Sequence, residues 1–393
     1  MSRIAVIVTS IAFVAAAPAL AQPAPANQSC MPQSPFAALA TWKSVEQLPD
    51  GRVTFRICAP AANEVRVTSN DIDEAIPMGL APGSTRGIVM TRDAMGLWTA
   101  TTAVPVPPDT YRFAFLVDGV KVPDPQATTF SHERVGTNST FETTGPEGEF
   151  QSWRQDVPHG AVSRIEYWSS ALGQKRLATI YTPPGYMNGA ERLPVLYLVH
   201  GAGDSYDSWT SVGHANLILD NLIAAGKARP MIVVMPFGHT PDRPGTDLLN
   251  NNDFGDDLIK DLIPYVDANF RTLADQHDRA MAGLSMGGSH TIRYGLTHPE
   301  LFDYIGVFSM GLGNDNVGAY ETANDAALKR AAQDLDLVYY AMGKDDFLYG
   351  TVAPTRAMFA KYGIEDVYNE SGGGHTWINW RRYLTDFAPR LFR

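Results

Sequence analysis

Five short, largely apolar runs are spaced through the second half of the chain. A strand that is buried on both faces of a parallel sheet reads as such a run, because neither face meets water. Between the runs, residues 257–266 carry apolar side chains at helical spacing. This alternation of buried strands and helices predicts a doubly wound α/β sheet. The runs are residues 194–200, 231–236, 279–284, 304–308 and 337–342.

The first half of the chain has a different pattern. Its short segments alternate apolar and polar residues, with turn sequences such as Asp118-Gly119 between them. Several short strands at this spacing predict a small, all-β, immunoglobulin-like sandwich over residues 41–126. Residues 127–160 are rich in Gly, Pro, Ser, Thr and Glu, so we expect a linker there, followed by the α/β domain at 161–393.

The N-terminus has the pattern of a secretory signal peptide. Arg3 precedes an apolar stretch that is short for a membrane span, and the tripeptide Ala-Leu-Ala that ends at Ala21 offers small residues for cleavage. We expect cleavage after Ala21, which would leave a secreted or periplasmic protein with no membrane segment. The alternative is that residues 1–21 remain as a membrane anchor. Residues 22–40 are expected to form a flexible lead-in.

Composition narrows the possible partners. The chain has 393 residues, which suits two domains, and a net charge of −11. It therefore has no basic surplus with which to neutralise phosphates, and no nucleic acid is expected as a partner. Cys30 and Cys58 are the two cysteines, and both lie in the part predicted to be exported. A disulfide between them and a pair of free thiols are both compatible with this placement.

Residues 283–288 read Gly-Leu-Ser-Met-Gly-Gly and directly follow the end of an apolar run. A serine on a tight strand-to-helix turn needs small neighbours, because the strained backbone brings adjacent chain segments close. Residues 289–294 can continue as the helix that such a turn requires. We therefore predict that Ser285 is the nucleophile of a hydrolase, with its hydroxyl projecting above the sheet.

A serine hydroxyl needs a base, and after this type of turn the acid and then the histidine follow in the chain. His375 comes after three glycines and is the one histidine beyond the acid candidates, so we predict it as the base. The acid should follow the apolar run that ends at Met342, where Asp345 and Asp346 are adjacent. The residue pattern alone favours neither. Asp336 is less suited, because it precedes its strand.

The oxyanion that develops during acyl transfer needs preorganised N–H donors. The backbone N–H of Met286, next to the nucleophile, is the first candidate. The loop after the first apolar run reads His-Gly-Ala-Gly at residues 200–203, and we assign the second donor to the N–H of Ala202. We expect His200 to shape this loop through hydrogen bonds, and His290 to be structural.

Aromatic residues near these loops are candidates for a substrate pocket. Trp209, Phe237 and Trp377 could contact an acyl group or a sugar, although core packing explains each of them equally well. In the first domain, Trp98 could stack on a sugar, but a place in the core of the sandwich is the favoured interpretation.

The motifs of the second domain together resemble the esterase D-like enzymes of carbohydrate esterase family 1, which includes feruloyl esterases and acetyl xylan esterases. The motifs are residues 181–186, 200–203, 215–223, 231–236, 283–288, 343–349 and 373–377. The resemblance covers about 155–393; it implies an α/β-hydrolase fold and assigns the triad acid to Asp346. Residues 48–56, 96–98 and 117–125 resemble the early-set domain of carbohydrate-binding module family 48.

This resemblance implies a secreted serine carboxylic-ester hydrolase. Its partner would be feruloylated or acetylated plant cell-wall xylan, or the oligosaccharides of xylan, and it would act through an acyl-enzyme without a metal or cofactor. Ser285 would attack the acyl carbon, and His375 would take and return the proton. The alternatives are an esterase for another ester, such as a siderophore lactone or a small acyl ester, and a non-catalytic carbohydrate-binding protein.

Overall fold

The computed structural model describes residues 30–31, 41–80, 83–242 and 251–393. The predicted signal peptide and most of the predicted lead-in lie outside these described residues. Within them, no helix combines the length and the apolar character needed to cross a membrane.

The N-terminal domain is a sandwich of two antiparallel sheets. Its described strands are β1 (Val45–Gln47), β2 (Val53–Cys58), β3 (Val65–Thr68), β4 (Ile88–Val89), β5 (Thr91–Arg92), β6 (Leu97–Thr101), β7 (Thr110–Val117), β8 (Val120–Val122), β9 (Phe130–His132) and β10 (Thr137–Glu142). One sheet has the strand order β1-β2-β6-β5, and the other has the order β4-β3-β7-β10-β9, with β8 paired to β7. The predicted all-β domain is therefore present.

Aromatic side chains fill the space between the two sheets. The Phe55 ring lies 5.2 Å from both Phe113 and Phe141, measured between ring centroids. Trp98 is buried in the same core, and its indole N–H donates to the carbonyl of Ala59 over 2.9 Å. The expected core role of Trp98 is confirmed, so this side chain is not presented to a sugar.

The sandwich extends beyond the predicted boundary at residue 126. Two strands, β9 and β10, lie inside the range 127–160 that we expected to be a linker, and β10 pairs with the central strand β7. The composition misled because β10 buries polar residues, Asn138, Ser139 and Thr140, whose backbone groups are paired in the sheet. The connection between the domains is correspondingly shorter than expected.

The C-terminal domain is an α/β sheet of eight strands flanked by helices. The strands are β11 (Ala161–Ser169), β12 (Gln174–Thr182), β13 (Val195–Val199), β14 (Ile232–Pro236), β15 (Arg279–Leu284), β16 (Tyr304–Phe308), β17 (Leu337–Gly343) and β18 (Asp366–Ser371). The described helices are α1 (Ser208–Ser211), α2 (Ala215–Ala224), α3 (Asp253–Asp257), α4 (Ile263–Asn269), α5 (Met286–His290), α6 (Val317–Asp334), α7 (Val352–Tyr362) and α8 (Trp377–Phe387). Wider helical turns at Leu258–Leu262 and Thr291–Gly295 join α3 to α4 and extend α5.

The sheet order is β11-β12-β14-β13-β15-β16-β17-β18. The pairs β11–β12 and β12–β14 are antiparallel, and the other neighbouring pairs are parallel. This mostly parallel arrangement, with apolar clusters on both faces, is the predicted α/β-hydrolase fold. Val199 of β13 is level with Gly283 of β15, so the loop after β13 lies beside the turn that carries Ser285.

Buried polar contacts hold the two domains together. Arg381 on α8 is fully buried and forms an ion pair of 2.5 Å with Asp109 of the sandwich. Its guanidinium also donates to the carbonyl of Thr110 over 3.1 Å. Ile378, from the same helix, packs against the core of the sandwich. The domains therefore share a buried interface rather than being joined by the chain alone.

Cys30 and Cys58 form a disulfide with a Cα–Cα distance of 5.7 Å, which decides between the two alternatives that the sequence allowed. Cys58 is the last residue of β2, and the amide of Cys30 donates to the carbonyl of Met95 over 2.9 Å. The bond thus fastens the start of the described chain to the edge of the sandwich.

Loss of this disulfide should destabilise the protein. A cross-link over a separation of 28 residues restricts the unfolded chain, which corresponds to about 3 to 4 kcal/mol in the loop-entropy description. We expect a Cys30→Ser/Cys58→Ser double variant to unfold at lower urea concentration than the oxidised protein. Dithiothreitol should lower the midpoint of the oxidised protein and leave that of the double variant unchanged. Equal midpoints for all three samples would contradict the assignment.

Candidate active site

Ser285 occupies a strained turn between β15 and α5. Its backbone has φ 51° and ψ −116°, a conformation that costs energy for any residue with a side chain. The turn also forces close packing: a Cβ on Gly283 would lie 2.4 Å from the backbone of Gly287, and a Cβ on Gly287 would lie 2.3 Å from the carbonyl oxygen of Val199. Both flanking glycines are required, as the sequence pattern predicted.

His375 meets one carboxylate of the adjacent pair. Its Nδ1 lies 2.9 Å from Oδ2 and 3.0 Å from Oδ1 of Asp346, whose side chain is fully buried. Asp346 is held in turn by the backbone N–H of Leu348, which donates to Oδ1 over 2.9 Å. Asp345 is exposed and makes no such contact. Because an ionised carboxylate only accepts hydrogen bonds, Nδ1 carries the proton and Nε2 is free to act as a base.

Ser285 and His375 open onto one cavity of about 300 Å³. Two aromatic rings hold the imidazole there: Phe347 at 4.5 Å and Trp380 at 5.1 Å between ring centroids. Trp380 is fixed by its indole N–H, which donates to Ser309 Oγ over 2.9 Å. Phe347 is 76% exposed, so one face of its ring is available at the mouth of the cavity.

The loop at 201–203 also lines this cavity. The carbonyl of Gly201 accepts two hydrogen bonds, from His200 Nδ1 over 2.8 Å and from the amide of Asp204 over 3.1 Å. In a trans peptide the carbonyl and the following N–H point in opposite directions, so these bonds turn the N–H of Ala202 away from them. Met286 is the first residue of α5, where an amide has no intrahelical partner. The oxyanion role of the Ala202 and Met286 amides stays a prediction.

His200 supports the loop through hydrogen bonds, as expected, and it does so as a neutral ring. Burial lowers its pKa to about 4, and its Nε2 accepts from the amide of Gly238 over 2.9 Å. His290 is structural too: burial lowers its pKa to about 3, its Nε2 lies 3.1 Å from the carbonyl of Gly238, and it stacks on Phe254 at 4.1 Å. The two imidazoles together bind the backbone N–H and the backbone carbonyl of Gly238.

The three aromatic candidates for the pocket do not line this cavity. Trp209 and Trp377 are each 1% exposed and pack edge-to-face at 5.1 Å inside the core, so core packing is their role. Phe237 is half-buried against the ring of His200, at 5.8 Å between centroids. Sequence reasoning missed Phe347 and Trp380, although their positions next to the acid and one turn into α8 are signals that could have found them.

Sequence reasoning also missed a contribution from the first domain. Asn70, Arg112 and Glu133 of the sandwich line the same cavity as Ser285 and His375. No local pattern marks these residues, because they reach the site only through the packing of one domain against the other. The candidate active site is therefore built from both domains.

Buried histidines should make stability fall as the pH is lowered. His200, His239 and His290 have their pKa values lowered to about 4, about 4 and about 3, mainly by burial, from 6.5. Below pH 6.5 these three histidines bind protons in the unfolded chain but not in the folded protein. The free energy of unfolding therefore decreases as the pH falls. His277, whose pKa is raised by Asp303, contributes with the opposite sign. We expect a lower urea midpoint at pH 5 than at pH 7.

A His290→Gln variant provides the matched test, because glutamine can still donate to Gly238 without titrating. It should reduce the pH dependence of the free energy of unfolding by up to about 1.4 kcal/mol per pH unit. A slope equal to that of the unaltered protein would show that His290 does not stay neutral in the folded state.

Residues 169–391, more than half of the chain, match the sequence profile of an esterase family described as "Putative esterase". An endo-1,4-beta-xylanase/feruloyl esterase from Xylanibacter ruminicola is 34% identical over 354 residues, which cover 88% of this chain and 45% of that protein. The chain thus spans less than half the length of this relative. An acetyl esterase from Caldicellulosiruptor saccharolyticus is 24% identical over 236 residues, which cover 50% of this chain and 82% of the esterase.

Solved structures share the fold. A ferulic acid esterase from Anaeromyces mucronatus, in complex with ferulic acid, has 20% identity and a TM-score of 0.53, covering 62% of this chain and 95% of that one. The enterobactin esterase of Shigella flexneri has 18% identity and a TM-score of 0.56, covering 88% of this chain and 94% of that one. The fold, the strained serine turn and the matched profile agree: the chain belongs to this esterase family.

Proposed function

We propose that this protein is a serine carboxylic-ester hydrolase that removes feruloyl groups, or acetyl groups, from plant cell-wall xylan or its oligosaccharides. The observation that carries the proposal is the set of groups at one cavity. Ser285 lies on a strained turn and lines the cavity with His375 and Ala202, and His375 is oriented by the buried Asp346. The N–H of Met286, at the start of α5, has no intrahelical partner.

The geometry supports acyl transfer in two steps. Ser285 Oγ attacks the acyl carbon while His375 Nε2 takes its proton, and Asp346 stabilises the imidazolium that forms. The N–H groups of Ala202 and Met286 face the developing oxyanion. His375 then gives the proton to the departing alcohol, which leaves an acyl-enzyme. Water attacks the acyl-enzyme with His375 again as base, and the free acid departs as Ser285 regains its proton.

The walls of the cavity support an aromatic acyl group and a polyol leaving group. Phe347 and Trp380 present aromatic surface beside the base, which suits a planar phenylpropenoyl group. Asn70 and Glu133 supply polar groups from the sandwich, which suit the hydroxyls of a sugar. The similarity to the Xylanibacter ruminicola protein, which extends over both domains of this chain, supports the same choice.

Export to a periplasm or to the outside of the cell is part of the proposal. The disulfide between Cys30 and Cys58 supports it, because such bonds persist in oxidising compartments. The N-terminal sequence pattern that predicts a signal peptide lies outside the described residues and supports the same location.

A siderophore lactone is the second candidate substrate. The likeness to the enterobactin esterase covers 88% of this chain and so includes the sandwich as well as the α/β domain. The same triad would open a lactone by the same chemistry. The intact set of nucleophile, base, acid and free N–H donors weighs against a non-catalytic carbohydrate-binding protein.

The triad assignment predicts that turnover depends on the carboxylate of Asp346 and not on that of Asp345. Ser285→Ala and Asp346→Asn should each lower kcat for p-nitrophenyl acetate by about 10⁴-fold or more, because they remove the nucleophile or the group that orients the base. Asp345→Asn is the matched control: it alters the exposed neighbour and should retain kcat within about twofold. Circular dichroism would establish that all three variants fold. Retained turnover in Ser285→Ala would overturn the mechanism.

The choice of substrate is tested by comparing kcat/KM on three esters. We expect a higher kcat/KM for methyl ferulate than for acetylated xylo-oligosaccharides, since the aromatic wall can contact a feruloyl group but not an acetyl group. A catecholate trilactone, which also carries aromatic rings, tests the second candidate substrate. Ser285→Ala serves as the blank for each assay. A trilactone preference would favour the siderophore reading, and an acetyl preference would make the enzyme an acetyl xylan esterase.

A further inference from the structure

We propose that Arg112, a residue of the N-terminal sandwich, is a positioning residue that holds the oxyanion loop of the α/β domain in its active conformation. This inference rests on the proposed esterase function. It assigns the first domain a part in transition-state stabilisation, apart from any affinity of that domain for polysaccharide.

The contact that carries the inference crosses the domain interface. Arg112 lies on β7, and its Nη1 donates to Asp204 Oδ1 over 2.6 Å. The other oxygen of this carboxylate, Oδ2, accepts from the backbone N–H of Gly201 over 3.2 Å. A single carboxylate therefore links the guanidinium of one domain to the backbone of the oxyanion loop in the other.

Arg112 is itself fixed firmly within the sandwich. Its Nε and Nη2 form a two-pronged contact with Asp71, at 3.1 Å and 2.7 Å, and its backbone N–H donates to the same carboxylate over 2.7 Å. Arg112, Asp71 and Asp204 are 8%, 5% and 4% exposed. One buried cation between two buried anions is held in place strongly, because removing the cation would leave both carboxylates unpaired.

Other contacts to Asp204 agree with this arrangement. Its backbone pairs with Glu133 of the sandwich in an isolated antiparallel bridge, and its carbonyl accepts from His239 Nε2 over 3.2 Å. The turn from Gly201 to Asp204 is thus held at its far end by Arg112 and Glu133 of the first domain together with His239 of the α/β domain. The near end is held by His200, which belongs to the α/β domain.

The orientation of one peptide plane depends on these anchors. The carbonyl of Gly201 lies against His200 and the amide of Asp204, which turns the N–H of Ala202, a residue that lines the cavity, away from those two bonds. If Asp204 loses its charged partner, its carboxylate can move away from the Gly201 N–H, which belongs to the His200–Gly201 peptide. That movement loosens Gly201 and allows the adjoining Gly201–Ala202 peptide plane to rotate. Losing one oxyanion donor costs about 10²- to 10³-fold in kcat, while binding of the ground state is less affected.

The experiment compares two interface arginines in the full-length protein. Arg112→Met removes the link to the loop, and Arg381→Met is the matched control. Arg381 is as deeply buried in the same interface and pairs with Asp109 at 2.5 Å, but none of its described contacts reaches residues 200–204. Thermal unfolding, kcat and KM for p-nitrophenyl acetate, and affinity for an arylboronic acid that mimics the tetrahedral intermediate are measured for each.

We expect Arg112→Met to lower kcat by about 10- to 1000-fold with KM within about threefold, and to weaken boronic acid binding by a similar factor. Binding of ferulate, a ground-state ligand, should change by less than about threefold. Arg381→Met should lower the melting temperature and keep kcat within about threefold. Equal kcat losses in the two variants, or an Arg112→Met variant with normal kcat, would overturn the proposal.

Two further variants keep the test decisive if Arg112→Met does not fold. Arg112→Lys retains the charge but cannot contact Asp71 and Asp204 together with the same geometry, so a partial loss of kcat is expected. Asp71→Asn weakens the contact that holds Arg112 within the sandwich. It should lower kcat with KM unchanged, as Arg112→Met does, but by a smaller factor. Normal kcat in both would contradict the inference. Failure of the proposed function is distinguishable, because an unaltered protein with no Ser285-dependent turnover would refute the esterase assignment itself.

Discussion

The strained backbone at Ser285 is the constraint on which the rest of the site depends. A positive φ at a residue with a side chain persists only where the surroundings hold it, and here the surroundings are two glycines pressed against neighbouring backbone. That close approach brings the end of β13 against the start of α5. The same close packing therefore places Ser285 and the N–H of Met286, and it brings the start of the oxyanion loop beside them.

The site separates two uses of histidine. His375 sits at the cavity between aromatic rings, with one nitrogen on a buried carboxylate and the other left for chemistry. His200 and His290 lie below, lack access to water, and stay neutral because burial opposes their charge. Each ring orients backbone groups through hydrogen bonds: His200 contacts the Gly201 carbonyl and the Gly238 amide, and His290 contacts the Gly238 carbonyl. Protonation would remove the nitrogen with which His200 accepts a hydrogen bond, and for both rings it would place a charge where water is excluded. Neutrality is therefore part of their structural role.

Much of the second domain could be predicted from the sequence. Continuous apolar runs identify buried parallel strands, and chain order identifies Ser285 and His375, because both signals are local. The residue pattern does not distinguish Asp346 from Asp345, because the two are adjacent. The resemblance to the family assigns the acid to Asp346. The burial of Trp209 and Trp377 depends on how helices pack. The contact between Arg112 and Asp204 joins residues 92 positions apart, and no pattern in the sequence predicts it. The length of the sandwich was underestimated because β10 buries polar residues through sheet pairing.

The interface between the domains has a consequence for how such proteins can change in evolution. A sugar-binding module on a free tether can be exchanged, lost or duplicated without disturbing the enzyme beside it. Here the sandwich supplies walls of the catalytic cavity and shares a buried ion triad with the loop beside the nucleophile. Replacement of the sandwich by an unrelated module would leave Asp204 without its cation. We therefore expect the two domains to be inherited together, because recombination between them would separate Asp204 from Asp71 and Arg112.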